Sequence, residues 1–246
     1  MKLPKPFASM LFCLCAAPLA AHAAVVPSAA VVPLAADPAQ ALLTVFEAGF
    51  DSTAMIDNAL SQMRGALLEQ PDMIGFEKQH PGTVAQIVAA VRPVVARNSD
   101  RSLGQYHIDL MALIRNKLSP AEIRSAAEFY GSPLGAKMLS SISRNYSQKS
   151  VLREAIAGEG EITLQAQTHD QQATVAKVVA ELTPADTEEI GRRLQGQSWL
   201  AALQALRPAI AELTLKMQNA PMSPEDEAAI EQQVTAIMTK RRTEKH

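Results

Sequence analysis

Histidine is the side chain best suited to acid–base and metal chemistry near neutral pH. Four histidines follow residue 23, namely His80, His107, His169 and His246, and no two are spaced to share one face of a helix. Glu77 and His80 match the Glu-x-x-His spacing of carboxylate-bridged di-metal helical bundles, but such sites need a second copy and two further glutamates on facing helices. A single copy among prolines and glycines predicts a solvated surface segment. The sequence therefore predicts no metal site and no cofactor.

His107 is the histidine with the strongest case for a binding role. It shares the apolar face of its predicted helix with Leu103, Leu110 and Ile114. A histidine placed there is usually a residue at the edge of the core, hydrogen-bonded to a neighbouring carbonyl or hydroxyl group. We keep His107 as a weak ligand candidate beside that structural interpretation.

One segment superficially resembles a serine nucleophile site, namely Gly-Ser-Pro-Leu-Gly at residues 131–135. Its spacing differs from the Gly-x-Ser-x-Gly of a nucleophile elbow, and no predicted strand precedes it. No phosphate-binding glycine loop occurs, and the Gly-Glu-Gly at residues 158–160 carries an acidic side chain that would repel phosphate. The sequence therefore assigns no catalytic residue and gives enzymatic activity no positive support.

The first 23 residues have the layout of a secretory signal peptide. Lys2 and Lys5 give a positive start, residues 7–20 are apolar, and Ala-His-Ala at residues 21–23 supplies a cleavage site. An uncleaved membrane anchor is the alternative, but Pro18 interrupts a run that is shorter than the roughly 20 residues of a spanning helix. We therefore expect an exported, periplasmic protein with no transmembrane segment after cleavage.

Cleavage at that position would remove every cysteine, because Cys13 and Cys15 are the only two in the chain. The processed protein would then have no disulfide, thiolate metal site or thiol nucleophile. Without Lys2 and Lys5 it would carry 23 − 2 = 21 basic residues against 25 acidic ones, so its formal net charge would be 21 − 25 = −4. No basic stripe with interleaved aromatic residues appears, so no nucleic-acid partner is predicted.

Beyond the signal peptide at residues 1–23, composition divides the chain into three parts. Residues 24–36 contain Ala-Val-Val-Pro twice and no charge, which predicts an extended tether. Residues 37–160 are predicted to form a helical domain, and residues 161–246 a C-terminal helical region. Apolar residues recur at three- and four-residue spacing almost throughout. The predicted fold class is all-α, a multi-helix bundle of antiparallel helix hairpins with about nine or ten helices.

Several element boundaries are specific enough to compare with a structure. Asp37 and Pro38 predict the N-cap and first turn of the first helix. Two prolines and two glycines predict a loop over residues 70–82. A helix with a kink at Pro93 is predicted over residues 83–98, and a separate helix over residues 103–118.

Residues 118–138 carry the clearest start signals in the chain. Ser119 is predicted as an N-cap, Pro120 as the first helical residue, and Glu122 as the partner that completes a capping box. Ser132 and Pro133 repeat the cap and proline only 13 residues later, so two helices are expected to follow one another with hardly any loop.

The corner between these helices has its own predicted roles. Gly131 is expected to end the first helix in the left-handed conformation. Phe129 and Tyr130 are expected to pack against the returning helix, and Gly135 to let the two helices approach closely. Lys137 has no evident structural role, so it is either a solvent-facing side chain or a contact to an acidic partner.

The run Phe-Tyr-x-Ser-Pro-x-Gly-x-Lys at residues 129–137 resembles the motif of the bacterial domain-of-unknown-function family 2059. The resemblance extends over about residues 105–157, roughly a quarter of the chain, and leaves out everything from residue 161 onward. It implies an exported all-helical protein. Since that family carries no established activity, it implies no catalytic residue.

Capping signals recur in the C-terminal region. Leu-Thr-Pro-Ala-Asp at residues 182–186 lies 64 residues after the corresponding leucine at position 118. A degenerate second copy of the helix hairpin is one explanation, and independent use of the same helix-start chemistry is the other.

Together these features predict an exported helical protein that acts by binding an unknown envelope protein or by self-association. The alternative is a small-ligand-binding protein or a hydrolase whose active site lies outside the motif. That alternative predicts a groove on which Glu122, Glu128 or His107 converges. A third possibility is a purely structural envelope protein.

Overall fold

The computed structural model describes residues 37–157 and 161–244. Within these ranges the chain forms eleven α-helices and no strand, so the all-α prediction is confirmed. The helices are α1 (Pro38–Gly49), α2 (Ser52–Leu68), α3 (Pro71–Gln79), α4 (Thr83–Lys117), α5 (Pro120–Tyr130), α6 (Pro133–Asn145), α7 (Lys149–Ala157), α8 (Leu164–Glu181), α9 (Pro184–Leu194), α10 (Ser198–Gln218) and α11 (Pro224–Thr243). None of these helices is both long enough and apolar enough to cross a membrane. The predicted signal peptide and tether lie outside the described residues.

Five helices begin with a polar cap followed directly by proline. The caps are Asp37, Ser119, Ser132, Thr183 and Ser223. Each cap side chain accepts a hydrogen bond from a backbone N–H of the first turn. Proline is tolerated directly after the cap because its missing N–H would have had no partner there. These helix starts are therefore determined by a few adjacent residues.

The loop predicted over residues 70–82 is wrong, because most of it is α3. Pro71 sits in the first turn of that helix, where it is tolerated. Near the other end of α3, the Glu77 carboxylate accepts hydrogen bonds from the backbone N–H of Gly82, at 2.7 Å, and of Val84, at 2.9 Å. Glu77 thus caps the N-terminus of α4, where a negative charge is favoured by the helix dipole.

The separate helices predicted on either side of residue 100 are also wrong, because α4 is one continuous helix of 35 residues. It passes through Pro93, which leaves the carbonyl of Ala89 without its usual donor four residues on. Residues 99–102 were predicted to separate the two helices, yet they are helical and Ser99 is buried within α4. Tertiary packing along the whole length of α4 outweighs these local signals.

The described helices enclose two apolar cores. The first core contains Leu60, Met63, Val84, Val91, Val95, Leu152, Ile230 and Val234, among others. The second core contains Leu42, Met55, Tyr106, Leu110, Ile114, Phe129, Leu139, Trp199 and Leu206, among others. The N-terminal half of α4 packs in the first core and its C-terminal half in the second. Because residues beyond 161 enter both cores, the C-terminal helices pack into the same body as the motif.

A buried carboxylate fixes the start of α7. Asp170, on α8, accepts hydrogen bonds from the backbone N–H of Ser150 at 2.9 Å and of Val151 at 3.1 Å, and from the Ser147 hydroxyl at 3.1 Å. The Thr174 hydroxyl, one turn further along α8, accepts from the backbone N–H of Ser147. The N-terminus of α7 is thus capped by a residue from another helix, which links α8 to α7 through polar contacts.

Candidate functional site: the groove between α4 and α10

The first motif residues are fully engaged in capping. The backbone N–H of Ser119 donates to Glu122 at 2.9 Å, and the Ser119 hydroxyl accepts from the backbone N–H of Glu122 at 3.3 Å. Hydrogen bonds from the Ser119 backbone and hydroxyl, and from the Ser198 side chain, hold the pKa of Glu122 below its ordinary value. A carboxylate stabilised in this way is a poor general acid, so Glu122 serves the fold.

At the corner between α5 and α6, the two helices lie too close together to accommodate a side chain at residue 135. A Cβ at Gly135 would lie 2.3 Å from the carbonyl oxygen of Phe129 and 2.5 Å from Cα of Tyr130. The left-handed conformation predicted for Gly131 is wrong, because its φ is −76°. A Cβ at Gly131 would instead lie 3.0 Å from the carbonyl oxygen of Ala127. Space rather than backbone angle therefore favours glycine at this position.

The aromatic pair of the motif belongs to a larger cluster. Phe129 and Tyr130 lie with their ring centroids 5.6 Å and 6.0 Å from that of Trp199, at the start of α10. Tyr130 also contacts Phe46 of α1, at 4.9 Å. Both motif rings belong to the second core, where Met138 and Leu139 of the returning helix also lie. Sequence reasoning missed Trp199 as a partner because it lies about 70 residues away.

Lys137 forms an ion pair with Asp186, in the first turn of α9. The Lys137 ammonium group and the Thr183 hydroxyl and backbone N–H lower the pKa of Asp186 to about 2. Of the two roles left open for Lys137, the contact with an acidic group is formed, and that group lies within the chain. This contact links the motif to the C-terminal helices.

A second acidic residue strengthens that link. Glu181, the last residue of α8, accepts hydrogen bonds from Ser141 at 2.6 Å, Asn145 at 2.7 Å and Arg144 at 3.0 Å, all on α6. These three donors lower the pKa of Glu181 to about 2. The outer face of α6 is therefore bound to the junction of α8 and α9 by charges and hydrogen bonds.

His107 faces α1 rather than a cavity. Its Nδ1 lies 3.4 Å from Oε1 of Glu47, and only 13% of its side chain is exposed. Burial lowers the pKa of His107. Its Nε2 is fully buried and makes no hydrogen bond within the described part of the chain. His107 is therefore a residue at the edge of the core, with its Nε2 buried and its Nδ1 beside Glu47.

Ser150, His169 and Asp170 lie together but lack the geometry of a catalytic triad. The Ser150 hydroxyl lies 2.9 Å from Nδ1 of His169, and Asp170 lies 4.0 Å from the same ring nitrogen. In a triad, serine and aspartate must use opposite nitrogens of the ring. The nearby N–H groups that could stabilise an oxyanion are already bound by Asp170. These residues cap α7 and are not arranged for acyl transfer.

An open groove runs along the surface between α4 and α10. It consists of two adjoining depressions of about 410 Å³ and 510 Å³ that share Leu113, Ala209 and Glu212. The other lining residues are Asp109, Asn116 and Lys117 on α4, and Ala202, Ala205, Leu206, Pro208, Leu213 and Lys216 on α10. We call this surface the α4–α10 groove.

The α10 side of the groove, which we call its floor, consists mainly of small and apolar residues. Ala202, Ala205 and Ala209 recur at three- and four-residue spacing on α10, where they leave room for a close approach. Pro208 lacks an N–H, so the carbonyl of Gln204 does not receive its usual helical hydrogen bond from residue 208.

Charges of both signs border this floor. Asp109 and Lys216 approach each other to 4.0 Å at one end. Lys117 and Glu212 line the groove without forming an ion pair to any described residue. The groove therefore offers apolar contact and one unpaired charge of each sign, which suits binding of a polypeptide segment.

The arrangement does not support the catalytic alternative. Glu122, Glu128 and His107, which that alternative brings together, are all absent from the lining of the groove. Among residues 37–157 and 161–244, no group of three or more histidine, cysteine, aspartate or glutamate side chains is placed to hold a metal ion.

Comparison of the chain with protein-family models, with curated proteins and with solved structures gives no match. The resemblance of residues 105–157 to family 2059 therefore stays a prediction. The α4–α10 groove rests on its geometry alone, and it draws on helix α10, which lies outside the segment of that resemblance.

Proposed function

We propose that this chain is an exported, periplasmic helical protein that binds a helical segment of an envelope protein in the α4–α10 groove. Export is supported by the positive start, apolar run and small-x-small site of residues 1–23. A role in binding is supported by the groove itself, and no described cluster of titratable side chains competes with it.

The alanine floor is the observation that carries this proposal. An amphipathic helix docks in a groove by placing bulky apolar side chains at three- and four-residue spacing against a receptive surface. Ala202, Ala205 and Ala209 provide that surface on α10, opposite the lining residues of α4. Lys117 and Glu212 can then select a partner by the position of its charges.

A single substitution in the floor tests the proposal. Ala205 is exposed, so Ala205→Arg fills the groove without entering a core. Ala236 is an exposed alanine in the middle of α11, and Ala236→Arg is the matched control. Each tagged full-length chain would be expressed in its own host, and complexes from the envelope fraction would be weighed by native mass spectrometry.

The proposal requires that the wild-type protein and Ala236→Arg carry the same partner mass and that Ala205→Arg loses it. Retention of the same partner by Ala205→Arg, or a wild-type chain without any partner, would refute binding in the groove. The same spectra report processing, because export predicts a chain that begins at Ala24. An unprocessed chain in the cytoplasmic fraction would refute export.

A further inference from the structure

The part of the chain that the structure describes begins at a fixed point on α4. Asp37 forms an ion pair with Arg115, near the C-terminal end of that helix. The Asp37 carboxylate also accepts a hydrogen bond from the backbone N–H of Ala39 at 3.0 Å. These two contacts hold residue 37 against the exposed side of α4. Residues 24–36, which we call the N-terminal segment, are therefore attached at a defined position on the surface.

An exposed apolar surface leads from that position to the α4–α10 groove. At about 100° per residue around α4, Ile108 and Ala112 lie about 20° and 60° from Arg115. Asn116, which lines the groove, lies about 100° from Arg115 in the same direction. Ile108 is 59% exposed, and Ala112 is also exposed. A single exposed isoleucine is common on protein surfaces, so its position between the attachment point and the groove is what matters here.

The N-terminal segment has a composition that suits this surface. Residues 24–36 consist of alanine, valine, proline, leucine and one serine, so no side chain in the segment is ionised. Pro27 and Pro33 restrict the backbone angle φ before any contact is made, which lowers the entropy lost when the segment is ordered. Both prolines also oppose a continuous helix, so an extended conformation in the groove is favoured.

The N-terminal segment is long enough to reach the groove. Its 13 residues span about 40 Å at about 3.1 Å per residue in an extended conformation. Passing over α4, whose diameter with side chains is about 10–12 Å, uses about a third of that length. The remainder is available to lie against Leu113, Ala205 and Ala209 in the groove.

We propose that the N-terminal segment folds back over Ile108 and occupies the apolar part of the α4–α10 groove of its own chain, where it competes with the envelope partner. The competition rests on the proposed function, whereas the docking of the segment does not. Because the segment has no ionised side chain, it leaves Lys117 and Glu212 unmatched. A partner that pairs with both charges gains contacts that the segment lacks, and it therefore displaces the segment.

Attachment at Asp37 makes a weak contact sufficient. A short linker gives an effective concentration of about 1 mM. A dissociation constant of about 0.1 mM would then keep the groove occupied in about ten of every eleven molecules. The affinity of the groove for a partner would fall about tenfold, since only the unoccupied fraction is competent to bind.

Cross-linking within one chain tests the docking without a partner. In full-length chains with Cys13→Ser and Cys15→Ser, Val31→Cys would be combined with Ala205→Cys in the groove, or with Ala121→Cys as the matched control. Ala121 is an exposed alanine at the start of α5, and α5 packs against α1, so this position also lies within reach of the segment. After mild oxidation, non-reducing electrophoresis would separate linked monomers from linked dimers.

We expect the 31–205 disulfide to form in monomers at least about tenfold faster than the 31–121 disulfide, because docking raises the effective concentration of the two thiols. Equal rates would overturn the inference. A 31–205 disulfide found only in dimers would also overturn it, since the groove would then hold the segment of another copy.

Protection of a thiol in the groove gives an independent measurement in the uncross-linked chain. With Ala205→Cys as the only thiol, replacing Val26, Val31 and Val32 together by asparagine should speed alkylation by N-ethylmaleimide about tenfold, because the apolar contact that covers the groove is lost. Alkylation of Ala121→Cys should not respond to the same replacements. An unchanged rate at Ala205→Cys would overturn the inference.

These results separate the inference from the proposed function. If the 31–205 disulfide is not favoured but Ala205→Arg still loses an envelope partner, the groove binds that partner and the docking of the segment is refuted. If the 31–205 disulfide is favoured but the wild-type chain carries no partner, the docking stands and the proposed function is refuted.

Discussion

Substituting Gly135 with alanine tests how closely α5 and α6 approach at the motif corner. The added Cβ would lie 2.3 Å from the carbonyl oxygen of Phe129 and 2.6 Å from that of Tyr130. Contacts between a carbon and a carbonyl oxygen normally begin at about 3.3 Å. The overlap is therefore about 1 Å, and both obstructing atoms belong to the backbone, which cannot rotate away as a side chain would.

Two opposing effects determine the expected change in the free energy of unfolding. Overpacking a tight contact costs about 3 kcal/mol at the upper end of its usual range, which fits an obstruction by backbone. Replacing glycine by alanine within a helix returns up to about 1 kcal/mol. Gly135→Ala should therefore destabilise the protein by about 2 kcal/mol.

Gly104 supplies the matched control. It lies inside α4, and a Cβ built there would meet nothing within 4 Å. Gly104→Ala should therefore stabilise the protein by up to about 1 kcal/mol, since only the gain in helix propensity remains. Urea unfolding followed by circular dichroism would place the two variants about 3 kcal/mol apart.

The test depends on the two substitutions changing the free energy of unfolding in opposite directions. If Gly135→Ala unfolds at the same urea concentration as the wild-type protein, or at a higher one, the two helices do not approach as closely as the structure shows. A loss of stability in both variants would mean that alanine disturbs the protein for a reason unrelated to space at the corner.

Two further predictions concern polar contacts. Glu181 and Asp186 have pKa values lowered to about 2 from 4.5 and 3.8. Their contribution to stability is therefore full above about pH 5 and is lost as the pH falls towards 2. Combining Glu181→Gln with Asp186→Asn should flatten the pH dependence of the urea midpoint. The control substitution Glu188→Gln should leave that pH dependence unchanged. Asp170→Ala should lower the free energy of unfolding by about 3 kcal/mol, because it leaves two N–H groups at the start of α7 and a buried hydroxyl without an acceptor. Asp100→Ala, at an exposed site, should have almost no effect in thermal unfolding. Unchanged stability in Asp170→Ala would refute its role as the cap of α7.

Helix starts were predictable because each depends on a few adjacent residues. Ser119, Pro120 and Glu122 form a capping box whose donors and acceptors lie within four positions of one another. Thr183 and Asp186 repeat this chemistry in α9, although the aromatic core of the motif is absent there. The signal for a helix start is therefore local, and it carries no information about what the helix packs against.

Properties that depend on distant residues were not predictable in this way. The length of α4 follows from its passage through both cores, which keeps residues 99–102 helical although two separate helices were predicted on either side of them. Gly131 was predicted to be left-handed because many helices end that way, but its φ is −76°. The carbonyl oxygen of Ala127 instead leaves little room for a Cβ at this position. Gln167 and Asp170 are polar, yet α8 buries both against its neighbours.

The groove was likewise invisible to sequence patterns. Along α10 the apolar residues predict a packing seam, and the seam exists because Trp199 and Leu206 enter the second core. The alanines beside that seam attract no attention in a search for chemistry, since alanine carries no functional group. They become a candidate site only when α4 supplies the opposite wall.

The motif itself is used for folding, which moves the search for function to other parts of the chain. Ser119 and Ser132 cap helices, Gly135 permits close contact, Phe129 packs on Trp199, and Lys137 binds Asp186. Each of these contacts is satisfied within the chain, so none leaves a group available for a partner.

The surface proposed for binding depends instead on the C-terminal helices, since the groove floor lies on α10. Those helices cannot be treated as an accessory. They contribute Trp199 to the second core and Ile230 and Val234 to the first, so a chain cut at residue 161 would expose apolar surface in both. Loss of binding in such a truncated chain would therefore report unfolding, and only substitutions at exposed positions such as Ala205 can separate recognition from stability.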